Sequence, residues 1–342
     1  MRVSRRHIIQ YIIGVMIIVF LGFYKLPYYI YSPGSADSLS PIVEVDNGFT
    51  SEGDMHLVTV SGMQATPLQL IWAKIRPFHE VMPLEDVRPE GISDEDYMHA
   101  QFQMMESSQE SSTVVAYEAA DKGISIEFNG VYVVSVIEGM PAEGKLEMGD
   151  RIVGIDENQV KEADDLITYI SDKNSDDVVE IEFVRDDKEL YADIKLETLQ
   201  DADGQIGIGI QLVTDRIVEV DPDVHFASGE IGGPSAGLMF ALEIYDQLTE
   251  EDLTRGYQVI GTGEIDYDGT VHSIGGIDKK VVAADQEGGD IFFAHHNQGA
   301  EDSNYNVAKA AAEEIDTNMI IVPVDTFNDA LSYLENLDPK EE

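Results

Sequence analysis

The turn Gly232-Gly233-Pro234-Ser235-Ala236-Gly237 is followed, 45 positions after its serine, by Lys280 at the end of Gly275-Gly276-Ile277-Asp278-Lys279-Lys280. A serine hydroxyl is a weak nucleophile until something takes its proton, and a lysine held out of water is one of the few side chains that can. The glycines and proline give a tight approach, and an apolar helix is expected from Ser235 to Leu248. A helix N-terminus presents unpaired amides and a positive dipole end, which suits an oxyanion forming beside the hydroxyl. The same turn suits a serine that only caps a helix.

The lysine adds a second constraint. In a helix over Ile277–Ala284, residues Ile277, Lys280, Val281 and Ala284 share one face, so Lys280 lies on the apolar stripe and Lys279 points elsewhere. Burial disfavours the charged ammonium and turns a lysine into a base near neutrality. A lysine that packs its stem and keeps its ammonium in water fits the same spacing.

Outward from this pair, strands and helices alternate, which predicts a mixed, α+β class. Strand character covers Ile217–Phe226, Ile291–Ala294 and Met319–Val324, Gln258–Ile265 reads as a strand and then a turn, and helices are expected over Asp278–Gln286 and Thr326–Leu337. Nearer the N-terminus, short strands are expected at Ile42–Val45 and His56–Val60. Helices are expected at Leu68–Ile75 and Asp94–Ala120, joined by an exposed acidic connection around Glu85–Glu90. A separate unit runs from about Lys122 to Leu199, with alternation at Val131–Val136, Arg151–Ile155, Val178–Val184 and Leu190–Lys195 and a helix over Ala163–Ile170.

Arg2, Arg5 and Arg6 precede an apolar run from Ile8 to about Leu26, with Tyr28, Tyr29 and Tyr31 beyond it. A basic flank, a span long enough for the hydrocarbon core and an aromatic far edge describe an inside-to-outside anchor. No small-x-small cleavage pattern follows, and Pro27 and Pro33 sit where one belongs, so an uncleaved single-pass anchor is favoured over a signal peptide. Everything after Ser35 is then expected outside the cytoplasm, at the cell membrane.

The chain has 342 residues, enough for about two domains on the usual size prior, with a formal net charge of -45 and a mean hydropathy of -0.14. So negative a chain would be repelled by phosphate backbones, which argues against a nucleic-acid partner. The absence of cysteine excludes disulfides, thiol nucleophiles and thiolate metal sites. No His-Glu-x-x-His is present, His295-His296 reads as a surface pair, and no metal or cofactor is expected. No Gly-x-x-x-x-Gly-Lys-Ser/Thr occurs either, so this chain carries no P-loop for nucleotide phosphate. His225 and His272 flank the motif regions and leave a Ser-His pairing as the less favoured alternative.

Two resemblances sharpen this reading. The middle unit, with Gly130-Val131-Tyr132-Val133-Val134-Ser135-Val136, Pro141-Ala142 and Gly149-Asp150-Arg151-Ile152-Val153-Gly154-Ile155-Asp156, resembles a PDZ domain of the bacterial kind. The resemblance implies capture of peptide C-termini on a sheet edge, with the matching loop at Asn129, Gly130, Val131 and Tyr132. From about Ile217 onward, the chain resembles the proteolytic domain of Lon proteases. The motifs are Gly233-Pro234-Ser235-Ala236-Gly237, Thr262-Gly263-Glu264-Ile265, Gly269 and Ile274-Gly275-Gly276-Ile277-Asp278-Lys279-Lys280-Val281-Val282-Ala283-Ala284. Carried over, Ser235 is the nucleophile, Lys280 the general base and Thr262 the hydroxyl that orients it, with Gly233, Pro234 and Ala236 around the oxyanion. Lon enzymes usually carry aspartate where this chain has Gly232, which removes any role of that carboxylate.

Met105-Glu106-Ser107-Ser108-Gln109-Glu110 through Val114-Val115-Ala116 resembles the helix that precedes the serine segment in Lon domains. The implied organisation is an anchor at 8–26, a protease domain split into 40–121 and 206–340, and a PDZ domain inserted at 122–205. The whole resembles the membrane-anchored, PDZ-containing Lon-like proteins of Gram-positive bacteria. That implies an ATP-independent serine endopeptidase acting on unfolded or loosely folded proteins, for quality control or regulated proteolysis, assembled as a homo-oligomer and by family analogy a hexamer. The alternative is an inert PDZ adaptor whose Lon-like domain serves assembly. A summed negative field raises lysine pKa values, so a Lys280 base is expected to work best above neutrality.

Overall fold

The structure, a computed structural model, describes residues 5–88, 94–137, 139–199, 204–229 and 231–340; Arg2 of the basic flank and Glu90 of the acidic connection lie outside these. The described chain divides into two compact units, residues 1–123 with 220–342, and residues 124–219.

The first unit opens with α1 (Arg5–Phe23), which has no buried residue and is apolar enough to cross a membrane. It leads into β1 (Tyr28–Ser38), β2 (Val43–Val45) and β3 (Asp54–Gln64). Next come α2 (Pro67–Ala73), β4 (Glu80–Pro83), the single turn α3 (Leu84–Val87) and α4 (Asp94–Ala119). The tyrosines read as the far edge of the anchor are therefore strand residues. β1 pairs antiparallel with β3 from Tyr29 opposite Gln64 and with β4 from Tyr28 opposite Pro83, so the sheet begins well ahead of residue 40. Ile30 is buried in a small core with Ala65 and Ala73, and that burial fixes the strand where local pattern showed only aromatics at a membrane edge. Leu84–Val87 winds a helical turn in place of the expected loop, with Glu85 and Asp86 exposed at its start.

The second unit carries β5 (Gly123–Val136), β6 (Arg151–Ile155), β7 (Asn158–Gln159) and α5 (Ala163–Ser171). It continues through β8 (Val178–Arg185), β9 (Lys188–Lys195), β10 (Glu197–Thr198), β11 (Ile206–Gly207) and β12 (Ile210–Asp221). Its main sheet runs β12-β5-β6-β8-β9, and Leu166 and Ile170 of α5 are buried in its core with Val131, Ile152, Val179 and Ile181. The buried Asp150 of the Gly-Asp-Arg turn receives Arg185 on both oxygens, at 2.6 and 2.7 Å, a fork geometry that satisfies a carboxylate which would otherwise be costly to bury.

Back in the first unit come β13 (Val224–Phe226), α6 (Gly237–Leu248), β14 (Gln258–Gly261), β15 (Glu264–Ile265) and β16 (Val271–His272). They are followed by α7 (Ile277–Glu287), β17 (Ile291–His295), α8 (Asn304–Ile315), β18 (Ile320–Val324) and α9 (Phe327–Glu335). The sheet order is β18-β17-β14-β3-β1-β4, with β14 parallel to β3 and β17, and β17 parallel to β18. Every residue of β17 is buried, as a strand covered on both faces requires. Phe292 packs with Val281 and Ala284 of α7 and Ala308 of α8, while Phe293 sets its edge against Tyr333 of α9. The α8 helix had no counterpart in the sequence reading, because its buried face is built mostly of alanines, which carry little periodic signal.

α6 is buried on nearly every side, so it is the core helix of this unit. It starts at Gly237, not Ser235: Ala236 occupies the cap position without a side-chain hydrogen bond, and Ser235 sits in the turn before it. The serine is not a helix cap.

Candidate active site

Three elements bring the site together. The turn before α6 supplies Ser235, the turn between β14 and β15 supplies Thr262, and the first turns of α7 supply Lys280. Lys280 Nζ lies 2.8 Å from Ser235 Oγ and 2.8 Å from Thr262 Oγ1. Thr262 Oγ1 donates to the Ser235 carbonyl at 2.9 Å, and the Gly263 amide donates to the same carbonyl at 2.9 Å. Because the threonine hydrogen is committed to that carbonyl, its oxygen is left to accept from Lys280. Lys280 is 3 % exposed, and burial pushes its ammonium down to about 7. Burial thus outweighs the summed acidic field that favoured a higher value.

Lys279, expected to face away, is also buried. Its ammonium is held by Glu80 Oε2 at 2.8 Å and Asp278 at 3.2 Å, so two neighbouring lysines have opposite electrostatic settings. One is paired with carboxylates and the other touches only hydroxyls.

α4 holds the serine turn by its backbone. The Gly233 amide donates to the Gln101 carbonyl at 2.8 Å, and Gly233 has φ +90, a left-handed conformation that favours glycine. A Cβ at Gly232 would stand 2.9 Å from the Gln101 Cβ, so the close approach of α4 leaves no room there for the aspartate usual in Lon enzymes. Ser108 Oγ donates to the Pro234 carbonyl at 2.9 Å, and the fully buried Ser112 donates to the Gly237 carbonyl at 2.8 Å. Ser108 and Ser112 were not picked out as site residues, though their one-turn spacing on a helix was the available signal.

The oxyanion set needs correction. The Gly233 amide is already taken by Gln101, and Pro234 has no N–H to give. Among the described residues the backbone amides of Ser235 and Ala236 donate to nothing. Ser235 and Lys280 open into a cavity of about 630 Å³ whose walls include Tyr31, Tyr97, Met98, Ile231 and Glu264. Burial raises the Glu264 carboxyl above its ordinary range.

The histidines fall elsewhere. His272 pairs with Asp266 at 2.6 Å, and His225 lies 3.5 Å from Asp46. His295 is buried, not on the surface: its Nδ1 is 2.8 Å from Ser273 Oγ and its Nε2 3.4 Å from Asp325, while His296 packs edge-on against Tyr305. Among the described residues no group of histidine and carboxylate side chains has the arrangement of a metal site.

In the second unit, Asn129–Tyr132 are not a loop. They lie within β5, an interior strand of the sheet between β12 and β6, with Val131 and Tyr132 paired to Ile152 and Arg151 of β6. The open edges of that sheet are β12 and β9. β12 adjoins α5, whose first amide, that of Ala163, donates to Thr214 Oγ1 on β12 at 3.0 Å. The overlooked signal is the alternation Ile206-Gly207-Ile208-Gly209-Ile210 leading into that edge strand.

Residues 205–334 match the Lon protease (S16) C-terminal proteolytic domain, and residues 97–196 match the PDZ domain, the second match beginning on α4, ahead of the compact unit. The Lon protease of Aster yellows witches'-broom phytoplasma is 29% identical over 118 residues, which is 34% of this chain and 14% of that protein. The Lon protease of Campylobacter jejuni is 33% identical over 138 residues, 38% of this chain and 16% of that protein. The chain therefore spans only a minor part of these relatives. Among solved structures, the PDZ domain of an SdrC-like protein from Listeria monocytogenes is 44% identical and covers 25% of this chain and 90% of its own, with a TM-score of 0.24. A solution structure from Geobacillus thermodenitrificans is 38% identical, covering 24% and 95%, with a TM-score of 0.23.

Proposed function

We propose that this chain, which carries a PDZ domain and a Lon-type C-terminal proteolytic domain, is a membrane-anchored serine endopeptidase that works without nucleotide, its protease domain outside the cytoplasm. The observation that carries the reading is a buried lysine amine at 2.8 Å from the Ser235 hydroxyl, with no carboxylate paired to it among the described residues. In the neutral state Lys280 donates one hydrogen to Thr262 Oγ1 and turns its lone pair to the Ser235 O–H. Ser235 Oγ attacks the scissile carbonyl as its proton passes to Lys280, and the oxyanion is met by the amides of Ser235 and Ala236. Lys280 then returns the proton to the departing amine, leaving an acyl-serine. A water enters and attacks the acyl carbonyl as it gives a proton to Lys280. Lys280 returns that proton to Ser235 Oγ as the ester bond breaks, releasing the acid and regenerating the serine and the neutral lysine.

The PDZ domain takes loose or C-terminal peptide segments along β12, beside α5, and so raises their local concentration at the protease. Unfolded or loosely folded chains are the substrates, since nothing in this chain supplies unfolding work. A homo-oligomer, by family analogy a hexamer, is the working form.

The test is hydrolysis of casein by the full chain in detergent micelles, without nucleotide. The expected result is cleavage that Ser235→Ala lowers by about 1,000-fold or more. No cleavage by a folded, assembled wild-type chain that still binds C-terminal peptides would replace this reading with the inert PDZ adaptor.

A further inference from the structure

The stretch that carries α2 is unlike the rest of the chain. The sequence holds 66 acidic residues in 342, yet residues 1–36 and 55–79 contain none. The first stretch contains α1 and the second contains α2, and the fold lays the two against each other. The Leu26 amide donates to the Ala65 carbonyl at 2.8 Å, Lys25 Nζ to the Gln64 carbonyl at 3.0 Å, and Gln64 Nε2 to the Leu26 carbonyl at 3.0 Å. The segment just after α1 and the segment just before α2 are thus joined by one backbone and two side-chain hydrogen bonds.

α2 is apolar on both sides. Leu70 and Ala73 face inward, onto Ile30, Ala65 and Val81. Leu68, Ile71, Trp72 and Ile75, at steps of three, four and seven, are 58%, 61%, 52% and 70% exposed. Lys74 and Arg76 rim this face, with the Arg76 guanidinium 4.5 Å from the Trp72 ring centre. Leucine, isoleucine and tryptophan on one face, basic groups at its rim and no acidic residue describe a segment built to lie in a lipid interface.

We infer that α2 and the turn after it dock on the surface of the bilayer that α1 crosses, with Leu68, Ile71, Trp72 and Ile75 in the headgroup and upper acyl region. Lys25, Lys74 and Arg76 meet anionic headgroups. This rests on the anchor reading of α1, and the chain's only tryptophan is the probe that separates the two. β1 follows α1 and β3 precedes α2, and both strands line the active-site cavity through Tyr29, Tyr31 and Gly62. The second contact therefore fixes the catalytic unit against the membrane, so that it does not swing on a single tether.

The experiment places the full chain in phosphatidylcholine–phosphatidylglycerol vesicles and reads flotation together with Trp72 emission. The expected result is co-flotation, an emission shifted to the blue, and quenching strongest with lipids brominated near the glycerol end of the acyl chain. The combined variant L68Q/I71Q/I75Q should still float while its emission moves to the red and escapes quenching. Co-flotation with Trp72 unquenched overturns the docking and leaves the anchor standing. A blue shift that follows protein concentration and ignores brominated lipid also overturns it, with a second copy covering the face. A chain that does not float overturns both readings.

Discussion

Lys280 is the residue on which the chemistry turns. Its Nζ has two hydroxyl neighbours and, among the described residues, no counter-ion, and burial lowers it to about 7. A base must be neutral, so activity should be lost as pH falls through about 7, near tenfold per unit well below it, and reach a plateau above neutrality. The measurement is kcat/KM for a chromogenic peptide between pH 5 and 9, the free-enzyme profile. A limb centred below about pH 6 would point to a carboxylate or histidine base instead. The glycine-framed turn and the helical spacing brought Ser235 and Lys280 into view without coordinates, and the resemblance to Lon proteolytic domains added Thr262. The setting of Lys279 was not legible, because its partner Glu80 comes from a distant strand, 199 positions away in the sequence.

At the scale of elements, α6 is a buried helix that carries an acid. Glu243 is 4% exposed, its Oε1 accepts from Gln247 at 2.7 Å, and burial, with a smaller contribution from Asp246, raises its carboxyl to about 7 against the hydrogen bond's opposing effect. Between the ordinary carboxylate range and pH 7 the folded chain therefore holds a proton the unfolded chain has released. Stability on this account falls as pH rises through that window, and the penalty is constant above it. Glu243→Gln should stabilise the chain at pH 8 by on the order of 1–3 kcal/mol, with the gain vanishing near pH 4.5. Thermal unfolding of both proteins at pH 8 and pH 5 checks this; an equal shift at both values would mean a packing effect. The helical reading of α6 needed only composition, whereas its start two residues late, at Gly237, depends on the serines that α4 brings to the turn.

For the whole molecule, the N-terminal boundary of the folded part matters most. Placing it at Ser35 follows from treating the tyrosines as an anchor's edge, but such a cut removes the half of β1 that pairs with β4. It also removes Ile30 from the core and Tyr29 and Tyr31 from the cavity. A chain beginning at Leu26 should unfold cooperatively and cleave casein, and one beginning at Ser35 should do neither. Circular dichroism melts and casein assays of both decide it; equal behaviour would show that β1 is dispensable. The first unit is discontinuous in the chain, which leaves it after Gly123 and returns at Val220, so residues packed together in it are far apart in the sequence.

The sequence alone determined what short-range chemistry encodes: the apolar N-terminal span, the strands of the middle unit, the glycine-framed serine and the lysine on the apolar face of its helix. Local pattern and linked motifs suffice there, since each is set by neighbours within a few turns of chain. The tertiary structure decided what distant residues impose on one another. Gln101 takes the Gly233 amide and leaves those of Ser235 and Ala236 unspent; β6 and β12 flank β5, the strand that carries Asn129–Tyr132. β3 and β4 turn a run of tyrosines into a strand, and the fold brings together the two acid-free stretches that carry α1 and α2. Hydrogen bonds and burial at such separations are fixed only when the chain closes on itself.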